Sequence, residues 1–362
     1  MLETPCLIID AQIVRTNISR MAAHAKQLGV NLRPHAKTHK LPSAAALQIA
    51  AGAAGITTAK ISEAEVMARH GISDIFIAYP LVADSKIERA VKLGRNIRLT
   101  VGADSLEGAS RLSETAGKHG ETLNVRLEID TGLKRTGVRR ENALQLAYQI
   151  HKLPHLRLQG IFTFRGPLLG GQSTLDLKSA GIQEGTWMVQ LADEMRAQGI
   201  PITDISVGST PTGLYAAAVK GVTEIRPGTY IFNDAMQTKL GVSTWDECAG
   251  SILATVVSRP SDDYAVIDGG SKTFATDVQP NTEPLRLQGF GHIVELPDAV
   301  LERLSEEHGV IRLLPHHSVK IGDRLRIIPN HICSTLNLHN KLYWLDGEQS
   351  VELPVLARGM LE

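Results

Sequence analysis

The sequence predicts an α/β fold: a (β/α)8 TIM-like barrel over residues 9–235, then a second, mainly β domain over 236–362 that also takes in about residues 1–8. Three observations predict it. Between Asn31 and Gly228 eight short β-rich runs recur, each followed by a stretch of helical period, and this alternation marks parallel βα units. After about residue 236 the helical period fades into further β-rich runs. The length, 362 residues, suits a barrel with an accessory domain. An open doubly wound sheet shares much of the pattern, and the count of eight favours the barrel.

The runs are 31–37, 54–59, 74–79, 97–102, 124–130, 158–164, 203–208 and 223–228. A helix over about 10–28 precedes them. Ser62-Glu63-Ala64-Glu65 and Asp104-Ser105-Leu106-Glu107 resemble capping boxes, in which a hydroxyl and a carboxylate satisfy the free N–H groups of a helix start. Downstream, SILATVVSR, YAVIDGG, RLRIIPNHI and KLYWLDG read as strands of the second domain, to which PCLII near the start adds another.

Lys and Arg total 38 against 38 for Asp and Glu, which leaves no surplus to neutralise a nucleic-acid backbone or an anionic membrane. A small molecule is therefore the expected partner, with no nucleic acid and no membrane. The segment MLETPCLIIDAQ lacks a cationic stretch leading a sustained apolar one, and the alanine-rich run 44–54 is too short and glycine-broken to span a bilayer, so a cytoplasmic location is expected. Cys6, Cys248 and Cys333 are odd in number and far apart, which fits reduced thiols.

In a barrel the chemistry lies at the C-terminal ends of the strands. The first run ends in Arg33-Pro34-His35-Ala36-Lys37-Thr38-His39. A lysine in isolation is more often a solvated charge, but Lys37 sits at the expected rim between two imidazoles. An amine among cationic or desolvating neighbours loses basicity and becomes a Schiff-base nucleophile. The seventh run ends in Gly208-Ser209-Thr210-Pro211-Thr212 and the eighth in Arg226-Pro227-Gly228-Thr229-Tyr230. Glycine and small hydroxyl residues at these two strand ends suit a phosphate, because backbone N–H groups must approach it closely. With the lysine they point to a phosphorylated, aldehyde-bearing cofactor. After the fifth run, Arg135 lies in a loop confined by Gly132 and Gly137, where a guanidinium could meet a phenolate or carboxylate. His331 and Cys333 are two apart, share a face if the segment is a strand, and form a borderline-soft pair suited to zinc with coordination positions left open.

Taken together, RPHAKTHK, DTGLKRTGV, SVGSTPT, RPGTY and PNHIC resemble, in this order, the D-threonine aldolase and D-serine dehydratase family of pyridoxal phosphate (PLP) enzymes, of the alanine racemase fold type. The likeness runs from TPCLIID through DGGSKTFATD to the histidine–cysteine segment. It implies that Lys37 carries PLP as a Schiff base, with His35 beside it, and that Arg135 meets the cofactor's phenolic side. It implies phosphate binding by Ser209, Thr210, Gly228, Thr229 and Tyr230, and places Arg226 at the pyridine nitrogen. It matches His331 and Cys333 to the zinc pair of the dehydratases, whereas the aldolases carry a His-Cys-Asp run there and use the aspartate. A homodimer is implied as well.

The chain departs from the family at the sixth strand end, where Phe164-Arg165-Gly166-Pro167 replaces a frequent Tyr-x-Gly-His. Arg165 is thus a candidate for a substrate carboxylate, against the alternative of a surface arginine on a drifted loop. The activity implied is that of a PLP-dependent lyase on a D-β-hydroxy amino acid, by dehydration and deamination or by retro-aldol cleavage. A racemase is the next reading and needs a second acid/base, for which Tyr264 and Tyr343 are the candidates without a supporting motif. A non-catalytic PLP-binding protein, or a ligand-binding barrel without PLP, is a further alternative.

Overall fold

A computed structural model describes residues 2–362. It separates into two compact units. One comprises residues up to Ile18, Thr38–Lys40 and Thr229–Gly359; the other comprises Ser19–Lys37, Leu41–Gly228 and Met360–Glu362.

The second of these is an eight-stranded parallel barrel. Its strands are β1 (Asn31–Leu32), β2 (Ile56–Thr58), β3 (Asp74–Pro80), β4 (Arg98–Ala103), β5 (Leu123–Asp130), β6 (Leu156–Phe162), β7 (Asp204–Val207) and β8 (Glu224–Ile225). Hydrogen bonding runs in the order β1-β8-β7-β6-β5-β4-β3-β2. The ring closes where Ala54 N–H reaches Leu32 O at 2.8 Å and a parallel bridge joins His35 to Thr57. Strands covered on both faces should be apolar throughout, and Ile75, Phe76 and Ile77 of β3 are fully buried in sequence.

The first run is shorter than expected. Regular pairing stops at Leu32, because Pro34 has no N–H to give a ladder, and the chain then tightens into a 3-10 turn at Ala36–Thr38. Of the two expected capping boxes, the second keeps only its hydroxyl half: Ser105 Oγ accepts Gly108 N–H at 3.2 Å ahead of the helix Leu106–Lys118, and Gly108 has no side chain to reach back. The first is displaced. Its helix is Ile61–Arg69, and Glu63 Oε2 accepts the N–H groups of Ala59 and Lys60, so the carboxylate closes a start two residues earlier than Ser62.

The barrel interior carries paired charge where a TIM-like barrel usually has aliphatic layers. Glu224 accepts Arg33 Nε at 2.7 Å and Arg126 Nη1 at 2.5 Å, while Arg33 also reaches Asp74 and Arg126 also reaches Asp204. Burial would raise the Glu224 carboxyl, but the flanking guanidinium groups outweigh it and hold the acid down at about 2.

The other unit is built on a nine-stranded sheet. The strand Cys6–Asp10 pairs antiparallel with Gly250–Ser258 and parallel with Lys341–Asp346, as the sequence pattern anticipates for PCLII. Arg324–Pro329 lies on the other side of Gly250–Ser258. All three cysteines are free thiols. Among the described residues no helix is long and apolar enough to cross a membrane.

Candidate active site

A cavity of about 280 Å³ opens at the C-terminal ends of the barrel strands. His35 and Lys37 reach it from beyond β1, Ala59 from just past β2, Ala78 and Tyr79 from β3, Glu128 from β5 with Arg135 and Thr136 from the following loop, Phe162 from β6 with Phe164 just past it, and Arg226 from just past β8. The sequence-predicted residues Lys37, His35, Arg135 and Arg226 are therefore brought together on one wall system. His35 Nδ1 accepts the Lys37 N–H at 3.3 Å, which fixes the short turn between them. The Phe164 ring has Lys37 Nζ and Arg135 Cζ each 5.4 Å from its centre.

Arg226 is a fixed cation. Its Nη1 donates to Ser206 Oγ and its Nη2 to Thr163 O, both at 2.5 Å, and burial brings the guanidinium down to about 10, still charged at neutral pH. Opposite in sign is Glu128, which sequence reasoning missed. It is 5% exposed, and its Oε1 accepts Thr136 Oγ1 at 2.8 Å. Its Oε2 has no hydrogen-bond partner, and burial raises the acid above its ordinary range. A buried, unsatisfied acceptor in a cavity costs free energy until a ligand or water supplies a donor. The available signal was strand alternation, which turns Glu128 to the same side as Arg126.

Around β7 the chain makes the tight turn expected of an anion loop. Gly208 has φ +82°, and a Cβ there would lie 2.7 Å from Gly213 Cα, so only glycine fits. Ser209 Oγ and Thr212 Oγ1 are 2.9 Å apart. Beneath the loop the buried Glu184 accepts Gly208 N–H at 3.4 Å. Ser209, Thr210 and Gly228 belong to the barrel unit, whereas Thr229 and Tyr230 open a 3-10 turn of the other unit, so these five are not gathered into one compact body. The donor set suits PLP: an amine for an aldehyde, a guanidinium for a ring nitrogen, and a glycine-hydroxyl turn for a phosphate.

Arg165 lies apart from these residues. It is 1% exposed and does not line the cavity. Its Nη1 donates to Thr131 O and Gln183 Oε1, and its Nη2 to Ala180 O. Those partners tie the loop after β5 to the helix Leu177–Ala197 and engage both terminal nitrogens, while Nε is buried without a hydrogen-bond partner.

In the β-rich unit, His331 and Cys333 do not share a strand face as expected. The strand ends at Pro329, and His331 caps the short helix Ile332–Leu336 because Asp234 Oδ2 captures the Ile332 N–H at 3.1 Å and turns the chain. The two side chains still meet. His331 Nδ1 is 2.6 Å from Asp277 Oδ2, which leaves Nε2 for the thiol side. Burial opposes charge on both groups, but each outweighs that for the other, so the imidazole is raised and the thiol lowered. Cys333 Sγ also lies 3.2 Å from Thr38 Oγ1 and 3.6 Å from Thr229 Oγ1. A thiol lowered in this way, beside an imidazole whose outer nitrogen is held by a carboxylate, suits a divalent metal such as zinc.

A second cluster, Asp298 with His316 and His317, is already satisfied. His317 Nδ1 accepts the Leu314 N–H at 3.0 Å, so its proton is on Nε2 and goes to Asp298 Oδ1 at 2.7 Å. Neither nitrogen of His317 is left to ligate.

A lysine at the mouth of a parallel barrel, with a tight glycine-hydroxyl turn and a pinned buried arginine, fits a PLP enzyme of the alanine racemase fold type. Residues 9–235 match the family model "Alanine racemase, N-terminal domain", and 249–345 match "Putative serine dehydratase domain". The chain is 34% identical to D-threo-3-hydroxyaspartate dehydratase of Delftia sp. (strain HT23), over 92% of each chain. It is 31% identical to D-threonine aldolase of Arthrobacter sp., over 99% of this chain and 93% of that one. The solved structure of the Delftia dehydratase superposes with a TM-score of 0.89 at 32% identity, covering 98% of this chain and 97% of that one. A cysteine-to-alanine variant of that dehydratase is also solved, in the metal-free form. More particularly, then, this chain belongs to the D-threonine aldolase and D-serine dehydratase-like family of PLP-dependent lyases.

Proposed function

We propose that this protein dehydrates and deaminates a small D-β-hydroxy amino acid, with PLP on Lys37 and a divalent ion, zinc, on His331 and Cys333. The observation that carries the dehydratase reading is the Cys333 thiol paired with His331 while Asp277 holds the far side of the imidazole. Ser334, which follows Cys333, gives no aspartate of the aldolase kind. The metal-free form of the dehydratase relative's cysteine variant supports the same assignment.

PLP, when bound, supplies a conjugated electron sink for negative charge at the substrate α-carbon. Lys37 Nζ would hold the cofactor and, once free, would be the base that takes the α-proton. Arg226, pinned by Ser206 and Thr163, presents a permanent charge that disfavours a proton on the ring nitrogen. Arg135 addresses the phenolic side, and Ser209, Thr210, Gly228, Thr229 and Tyr230 bind the phosphate. The ion supplies Lewis acidity that makes the β-hydroxyl a better leaving group. Phe164 contributes an apolar ring where relatives offer a phenol, so it excludes water and donates no proton. The working state is a homodimer, a reading supported by the family resemblance, in the cytoplasm, a reading supported by three free thiols.

The test is incubation of holoprotein with D- and L-serine, threonine and 3-hydroxyaspartate, with and without chelator, and identification of products. An oxo acid with ammonia from D-substrates only, lost on chelation, is expected. Glycine with an aldehyde would instead make it an aldolase, and the enantiomer a racemase.

A further inference from the structure

Asp277 lies 54 positions before His331, in a segment with no metal-binding pattern of its own. Its Oδ2 nonetheless accepts His331 Nδ1–H at 2.6 Å and Ser334 Oγ–H at 2.8 Å. An imidazole whose Nδ1 carries the proton can offer only Nε2 as a ligand, and the hydrogen bond sets the plane in which that lone pair points. The backbone between His331 and Cys333 is braced separately. Asp234 Oδ2 accepts Ile332 N–H at 3.1 Å, while its Oδ1 accepts Gln237 N–H at 3.0 Å. One carboxylate thus fixes the ligand-bearing chain and the other fixes the ligand ring.

We propose that Asp277 is a positioning residue for the metal, holding His331 in the tautomer and orientation that present Nε2 beside Cys333 Sγ, with Ser334 steadying the carboxylate. This rests on the metal reading above. Asp277 itself does not ligate, because it occupies the opposite edge of the ring from Nε2.

The experiment uses PLP-loaded protein stripped of metal by chelator and titrated with zinc against a chromophoric competitor. Asp277→Ala is expected to weaken zinc binding 10- to 100-fold, with the visible absorption of bound PLP and the melting temperature of the metal-free protein unchanged. Asp277→Glu should recover part of the loss, and Ser334→Ala should weaken binding only several-fold. Should Asp277→Ala fail to fold, Ser334→Ala and Asp277→Glu decide, and zinc affinity equal to wild type in both overturns the proposal. Wild-type protein that takes up zinc while Asp277→Ala matches it within twofold overturns this inference alone. Wild-type protein that takes up no zinc overturns the metal reading, and the inference with it.

Discussion

Arg226 hangs from Ser206: its Nη1 donates to the hydroxyl at 2.5 Å, and that hydroxyl donates to Glu224 Oε1 at 2.6 Å. The cation that faces the cavity is therefore the last link of a polar chain running down the barrel axis to Arg33 and Arg126. A cavity-facing charge held in this way does not have to be ordered by its ligand, which is the preorganisation that electrostatic catalysis needs.

Glu224→Gln removes the negative charge on which Arg33 and Arg126 both depend. Breaking a buried pair by deleting one partner strands the other, at a cost of roughly 3–5 kcal/mol. Urea unfolding should show a midpoint lowered accordingly at an unchanged slope. A midpoint within experimental error of wild type would mean that the network contributes nothing net.

Much of this barrel was legible because parallel strands buried on both faces leave long apolar runs, so seven of the eight were placed within a few residues. The short β1 was not, since Pro34 ends pairing without changing composition. Lys37, Arg135 and Arg226 were legible as strand-end residues. Glu128 and Asp277 were not: an acid in a strand looks solvated until the partners around it are known, and the contact between Asp277 and His331 spans 54 residues that local pattern cannot cross. The placement of Arg165 was hidden for a related reason. A guanidinium at a strand end reads as a ligand contact, and only the carbonyls of Thr131 and Ala180 reveal that its terminal nitrogens are engaged.

Arg165→Ala therefore belongs with the stability mutations. Losing its donors leaves those carbonyls unsatisfied, for about 2–4 kcal/mol of destabilisation. KM for a D-β-hydroxy amino acid, measured well below the melting temperature, should change less than twofold. A tenfold rise in KM at unchanged stability would restore Arg165 as a substrate contact.

Glu184 gives a pH dependence with a definite sign. Burial raises its carboxyl from an ordinary 4.5 to about 7, with Arg165 opposing. Between these values the folded chain keeps a proton that the unfolded chain has released. The contribution is complete below about 4.5 and is lost as pH rises to about 7, a change of up to about 3 kcal/mol. The difference in unfolding free energy between wild type and Glu184→Gln should follow that fall and level off above it. A difference independent of pH across this window would show that Glu184 is charged in the folded protein.

The most direct test of the whole account is where the cofactor sits. Purified protein loaded with PLP, reduced with borohydride and digested for peptide mass spectrometry should carry the reduced cofactor on Lys37 and on no other lysine, and Lys37→Ala should carry none. A label on a different lysine, or a wild-type protein that takes none, would contradict it.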